Sequence, residues 1–391
     1  MTGLRQRMTA RDTAEEHRSA TPLELLFDLT FVVAISQVAA QLAHATEDGH
    51  PLEKLVPFAM VFFAIWWAWM NYTWFASAYA TDDVLYRVLT FVHIAGVLVI
   101  AGGIPEAFET GNFAVMTIGY LVMRVGLVAL WVRAAIEHPE GRTTALRYAI
   151  GISVVQVLWV SRLALPEQGT AWMFLAIGVL DLAVPLWAER TGTTTWHPHH
   201  IAERYQLFTI ILLGESVFAS TLAVQVSISE AGVSPTLITI AMLGLVIIFT
   251  LWWLYFSEPA GEGLTRRRER SFIWGYGHFG IFIALAAIGS GLEVAVVSVG
   301  HRIEATDTMV AYATAIPVAL FLVLLWTLHR PIVEQVVLRP GTIAVTAVLV
   351  LLAPLTAAPL GLIVALSGIA ASLVGLLAWT LIRVNARSLK A

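Results

Sequence analysis

The chain has 391 residues, 58% of them hydrophobic and only 13% charged, with a mean hydropathy of +0.78, too little polar surface for a water-soluble globule of this length. It reads as an integral membrane protein whose first partner is the lipid bilayer. A net charge of -4 with no sustained basic surface excludes a nucleic-acid partner, and the lack of cysteine excludes disulfides, thiolate metal sites, iron-sulfur clusters and a Cys nucleophile.

A hydrocarbon core of roughly 30 Å is crossed by about 20 apolar residues in a helix. Runs of that kind lie near 23–44, 55–78, 84–104, 113–133, 146–165, 170–188, 204–225, 236–256, 272–297, 308–328, 342–357 and 360–382. All are expected to be helical, because a backbone in lipid must satisfy its own hydrogen bonds. In the eleventh, Pro354 and Pro359 bracket a short stretch that also suits a re-entrant segment. Residues 1–22 form a charged tail with Arg5, Arg7, Arg11, Arg18, Glu15 and Glu16. The span that follows carries Glu24 and Asp28, unlike the apolar core of a cleaved signal peptide, so it is expected to be retained.

The second half echoes the first. Trp66-Trp67 closes one span and His93 sits in the next; Trp252-Trp253 closes another, followed by His278. Upstream, "ELLFDLTFVVAISQVAAQLA" from Glu24 lines up more faintly with "ERYQLFTIILLGESVFASTLA" from Glu203. The expected fold class is therefore all-α and polytopic, with about twelve transmembrane helices in two six-helix repeats, 23–190 and 191–391. Basic residues gather on one side of these spans: the N-terminal tail, Arg87, Arg133, Arg142, Arg147, Arg190, Arg204, the "TRRRER" tract, Arg330, Arg339 and the C-terminal tail. Lys54, Arg162 and Arg302 face them, and Arg124 lies within a span. That asymmetry places both termini in the cytoplasm. Six crossings per repeat make the repeats parallel.

Ionisable groups inside apolar spans are costly and are the place to look for function. Glu24 and Asp28, at spacing i, i+4, share a helix face. His93 and His278 occupy matching depths. Arg124 is near the middle of the fourth span and Asp181 lies in the sixth. His200, Glu203 and Arg204 open the seventh, with Glu215 roughly 18 Å deeper by helical rise. Ordinary readings stand beside these. Arg124 with Asp181 or Asp28 makes a structural ion pair, Glu24 and Glu203 suit helix capping, and the two histidines suit packing. Glu215 has the weakest structural reason to be where it is. The tryptophan clusters read as an interfacial belt. The "WHPHHIAER" loop, with His197, His199 and His200, follows no standard zinc spacing, so no metal ligand is assigned.

"TPLELLFDLTFVVAISQVAAQL", "WWAWMNYTWFAS", "HIAERYQLFTIILLGES" and "LWWLYF" resemble the bacterial low temperature requirement A family of multi-pass membrane proteins. The residues that the resemblance marks are Glu24, Phe27, Asp28, His200, Glu203, Arg204, Gly214 and Glu215. It implies a cytoplasmic-membrane location and a link to growth in the cold, with no settled activity. No HExxH, GxSxG, phosphate-cradling or dinucleotide motif marks an enzyme, and no cofactor is named. The leading expectation is a transporter or channel-like protein for a small polar solute or ion, with a cytoplasm-facing polar cavity. Proton coupling would run through Glu215, Asp28, His93 and His278. The alternatives are a membrane-embedded enzyme or redox protein acting on a lipid or bound cofactor, and a non-catalytic sensor or assembly factor. Oligomeric state is not legible in the chain.

Overall fold

Hydrocarbon leaves no solvent partner for the backbone, and the chain meets that constraint with helices joined by short turns. The structure, a computed structural model, describes residues 4–12, 15, 19–165, 170–258, 260–333 and 337–388. Arg18, Glu16 and Lys390 of the charged tails lie outside the described residues. The helices are α1 (Pro22–Glu47), α2 (Pro51–Ala78), α3 (Val84–Thr110), α4 (Ala114–Glu137), α5 (Arg142–Ser161), α6 (Thr170–Ala188) and α7 (Pro198–Ala231). They continue with α8 (Pro235–Tyr255), α9 (Ala260–Arg266), α10 (Ser271–Gly300), α11 (Asp307–His329), α12 (Pro340–Leu352), α13 (Ala357–Leu360) and α14 (Leu362–Ser388). Among the described residues, 12 stretches are long and apolar enough to cross a membrane. The chain is a polytopic α-helical protein. Its eleventh stretch, Pro340–Leu360, is a broken helix, α12 and α13 joined through a 3-10 turn at Ala353–Thr356. Pro354 in that turn ends the regular hydrogen-bond ladder.

The chain divides into two compact units: residues 1–37 with 60–204, and residues 38–59 with 205–391. In the first, α3 packs on α4, α4 on α5 and α5 on α6. The antiparallel crossing of α3 and α4 runs on glycine. A Cβ added at Gly96 would stand 2.6 Å from the Gly119 carbonyl oxygen, and one at Gly119 would stand 2.6 Å from the Ile100 nitrogen. This close seam carries His93 on α3 and Arg124 on α4 into the same interior. Trp66, Trp67 and Trp69 are fully buried here, so these three of the first tryptophan cluster are packing core and not an interfacial belt, while Trp74 is half-buried and packs edge-on to Trp196 at 5.0 Å. Phe63 stacks on Trp67 at 6.2 Å, and Trp66 tilts against Trp67 at 5.6 Å.

In the second unit, α10 packs on α11, α11 on α12, and α14 on α8 and α12. The approach of α10 to α7 again depends on small residues. A Cβ at Gly289 would meet Ser216 Oγ at 2.5 Å, and one at Gly300 would meet the Ser227 Cα at 3.0 Å. Both contacts advance along the two helices in the same direction, so α7 and α10 run parallel. Trp252 and Trp253 are 45% and 48% exposed, which suits lipid-facing residues.

The glycine seam makes a direct prediction. Gly96→Ala forces a methyl group into a backbone with nowhere to go, and should cost about 1–3 kcal/mol of stability. Gly102→Ala, on the same helix with nothing within 4 Å of the added Cβ, should be neutral or slightly stabilising. Thermal unfolding in detergent measures both; equal midpoints for the two variants would refute the seam.

Candidate functional site

Three helices of the first unit each contribute a pair of side chains one turn apart, and the pairs converge. Glu24 and Asp28 come from α1, Trp69 and Thr73 from α2, and His200 and Arg204 from α7. Spacing i, i+4 puts each pair on one helix face. Arg204 is the hub. Its Nε and Nη2 donate to the two oxygens of Asp28 at 2.8 and 2.6 Å, the planar bidentate geometry that guanidinium and carboxylate share. Nη2 also donates to Thr73 Oγ1 at 3.3 Å, and Nη1 lies 3.3 Å from Glu24 Oε1. The Trp69 indole donates to Asp28 Oδ1 at 2.7 Å. His200 Nε2 stands 3.3 Å from Glu24 Oε1. Glu24, Asp28, His200 and Arg204 are all fully or almost fully buried.

Glu24 serves two purposes. Its Oε2 accepts the Thr21 backbone N–H at 2.7 Å while Thr21 Oγ1 accepts the Glu24 N–H at 3.3 Å, a reciprocal capping box that starts α1. Its Oε1 is left for His200 and Arg204. Glu203 Oε2 accepts the Ala20 N–H at 3.1 Å and ties the segment before α1 to α7. Two carboxylates, one guanidinium and one imidazole thus share this buried cluster.

The cluster has an opening. Glu24 lines a cavity of about 260 Å³ whose wall includes Arg11, Thr21, Tyr79, Asp82, Tyr86 and Arg87. Burial pushes the Tyr79 phenol up to about 12, so it meets the cavity as a neutral hydroxyl. The N-terminal segment forms one rim as a strap. Strand β1 (Thr9–Ala10) pairs antiparallel with β2 (Tyr79–Ala80), with Thr9 opposite Ala80. The Gln6 N–H donates to Asp83 Oδ2 at 2.9 Å and the Met8 N–H to Glu137 Oε2 at 2.6 Å. Arg133 donates through Nη1 and Nη2 to Asp83 at 2.9 and 2.6 Å, and through Nη2 to the Gln6 carbonyl at 2.6 Å.

The remaining candidates fall in other places. Arg124 pairs with Asp181, not Asp28, through Nη2 to Oδ2 at 2.6 Å. Trp159 donates to the same oxygen at 3.0 Å. His93 packs edge-on to Phe27 at 5.2 Å and beside Tyr72 at 5.3 Å. In the second unit, His278 Nδ1 meets the Trp274 carbonyl at 2.7 Å, so Nδ1 carries the hydrogen, and Nε2 accepts the Tyr255 O–H at 3.1 Å. His329 stands 6.1 Å from His278, ring to ring. Glu215 is buried within electrostatic reach of Glu293, which in turn senses Glu47 and His44. Trp69, Thr73 and Glu293 are the members that sequence reading missed. The one-turn spacing of Trp69 and Thr73 was visible in the chain, but neither residue is charged. His197 is occupied locally: its Nε2–H donates to the Glu15 carbonyl at 2.8 Å. Among the described residues, no group of three or more His, Cys, Asp or Glu side chains is arranged to hold a metal ion.

The family model for the bacterial low temperature requirement A protein (LtrA) matches residues 19–381, nearly the whole chain. The chain belongs to the LtrA family. An uncharacterized protein of Rhizobium meliloti (strain 1021) is 25% identical to it over 304 residues, covering 73% of this chain and 72% of that one. No solved structure matches. The matched region contains every helix of the LtrA cluster, and starts just before the Ala20 and Thr21 contacts that close its rim.

The strap carries a testable pH behaviour. Hydrogen bonds from the Arg133 guanidinium hold the Asp83 carboxyl well below the usual carboxylate range. A depressed carboxylate contributes stability that is present above its unfolded value and lost only as pH falls through its folded one. The amides of Gln6 and Met8 should therefore stay equally protected, after correction for intrinsic rates, from about pH 7 down to about pH 5. Asp83→Asn should deprotect them at neutral pH. Hydrogen exchange read by mass spectrometry measures this; protection unchanged in Asp83→Asn would contradict the assignment.

Proposed function

We propose that this LtrA family member is a transporter or channel-like protein of the cytoplasmic membrane that moves a small polar solute or ion, with coupling to protons. One observation carries the reading: a buried ionisable cluster, Glu24, Asp28, His200 and Arg204, reaches a cavity through Glu24. Glu24 and Asp28 both face Arg204, and His200 stands beside Glu24. Ionisable groups gathered inside a bilayer are costly, and such clusters are the kind that line proton and ion pathways.

The orientation follows from the basic loops. Both termini are taken to be cytoplasmic, which puts the Glu24 cavity, with Arg11 and Arg87 on its wall, on the cytoplasmic side. Duplication of a six-helix ancestor is supported by the two buried histidines. His93 has Phe27 of α1 edge-on at 5.2 Å, and His278 has Tyr205 of α7 edge-on at 4.9 Å.

Glu215 is the residue on which proton coupling should show most clearly, since it is buried within electrostatic reach of Glu293. Purified protein in vesicles should give a substrate-dependent flux or pH change that Glu215→Gln abolishes while the variant keeps its wild-type unfolding midpoint. An equal flux in Glu215→Gln would remove Glu215 from the mechanism. No flux for any ion or small polar solute in the wild type would remove the transport reading itself.

A further inference from the structure

The broken eleventh stretch leaves room beside the last helix of the second unit. A Cβ added at Gly368 of α14 would stand 3.1 Å from the Ala353 Cβ, so α14 touches the 3-10 turn that follows α12. About two turns further along α14, a Cβ at Gly375 would meet nothing within 4 Å, and neither would one at Gly341 in the first turn of α12. The two helices therefore close at Ala353 and splay apart toward Arg339 and Trp379, which stand at the same end of the antiparallel pair.

The wedge between them is a groove of about 770 Å³. Val345 and Leu349 line it from α12, 60% and 49% exposed, and the buried Leu376 lines it from α14. Its hydroxyl groups are turned back on the backbone: Ser372 donates to the Gly368 carbonyl at 2.7 Å and Thr342 to the Arg339 carbonyl at 2.9 Å. What the groove presents along its length is apolar. From Arg339 to Leu349 it follows roughly 15 Å of helix by helical rise, the depth of one leaflet of a hydrocarbon core about 30 Å thick.

The open end is cationic and held in place. Glu258, 5% exposed, accepts the N–H groups of Val337 and Leu338 at 3.1 and 3.2 Å and so pins the turn that delivers Arg339 to the groove. Arg339 is exposed, and among the described residues no carboxylate stands within ion-pair distance of it. Arg383 follows one turn beyond Trp379 on the same face of α14. Trp379 itself is 52% exposed at this end of the groove, and indole rings favour the level of lipid headgroups.

We propose that the groove between α12 and α14 binds one anionic phospholipid, with its phosphate at Arg339 and an acyl chain along Val345, Leu349 and Gly375. The charge at the mouth selects the class. A headgroup that carries an ammonium beside its phosphate brings a cation for which the groove lining has no carboxylate, whereas an anionic headgroup offers the guanidinium its phosphate alone. A free anion would gain nothing from the apolar wedge, which suits a chain of leaflet length. On the orientation taken above, the mouth opens to the cytoplasmic leaflet. The groove belongs wholly to the second unit and uses no member of the Glu24 cluster, so the proposal stands apart from the transport reading.

The test is native mass spectrometry of the full chain, released from micelles that hold equal amounts of phosphatidylglycerol and phosphatidylcholine with identical acyl chains. One phosphatidylglycerol per chain should be retained, roughly fivefold in preference to phosphatidylcholine. Arg339→Gln should bring that preference toward parity, and Gly375→Leu, which fills the groove and leaves the arginine, should lower retention of both lipids. Equal retention of the two lipids by the wild type would overturn the proposal, and so would a preference unchanged in Arg339→Gln. Retention unchanged in Gly375→Leu would mean surface charge without a seat in the groove, and a dimer that retains no lipid would mean a second copy covering it; either result overturns the proposal too. Both substituted positions are exposed, the wild-type comparison needs no variant to fold, and lipid retention is read without flux.

Discussion

The bidentate contact between Arg204 and Asp28 is the constraint on which the first unit is organised. Both residues are fully buried, and a charge in that position is tolerated only when its partner and its remaining hydrogen bonds are in place. The contact therefore sets the rotation of two helices about their axes: α1 must turn Asp28 inward and α7 must turn Arg204 inward. Once it does, the residues one turn away, Glu24 and His200, face each other as a consequence, and Trp69 and Thr73 of α2 are drawn in to fill the remaining valences of Asp28 and Arg204. Glu24, placed this way, can close the α1 capping box and still present an oxygen to the cavity. Structural and functional roles are not alternatives at this residue; one carboxylate performs both because it has two oxygens.

The first unit holds two polar interiors that differ in charge balance. Around Arg204, two carboxylates and an imidazole gather about one guanidinium. Around Arg124, one acid matches one base, and Trp159 donates to the same carboxylate oxygen. Helix packing supports both with the same economy of side chains. Gly96 and Gly119 bring α3 and α4 together so closely that His93 and Arg124 share an interior, while the tryptophans of α2 fill the space beside them.

Much of this was legible in the chain for a definite physical reason. Apolar runs of membrane length, the prolines that break the eleventh stretch, and the shared face of Glu24 and Asp28 are local properties, and local properties are written in consecutive residues. Family resemblance rested on the same segments that form the cluster, "LELLFDL" and "HIAER". What was not legible depends on pairing across the chain. Whether Arg124 meets Asp181 or Asp28 is decided by the neighbours of α4, and spacing says nothing about that. Trp66, Trp67 and Trp69 carry the composition of an interfacial belt and are buried core, because tryptophan suits both places equally well. Thr73 carries no charge to mark it, and Glu293 stands near the end of a long apolar helix. Their surroundings, not their identity, make them conspicuous.

The central claim is that Arg204 and Asp28 act as one unit. A double-mutant cycle with Asp28→Asn, Arg204→Gln and the combined variant, followed by unfolding in detergent, tests it most directly. Coupling of about 2 kcal/mol or more is predicted, with the double variant well above the sum of the single losses, because each single change strands a buried charge that the second removes. Single losses that add to within about 0.5 kcal/mol would show that the two residues are independent, and would contradict the account.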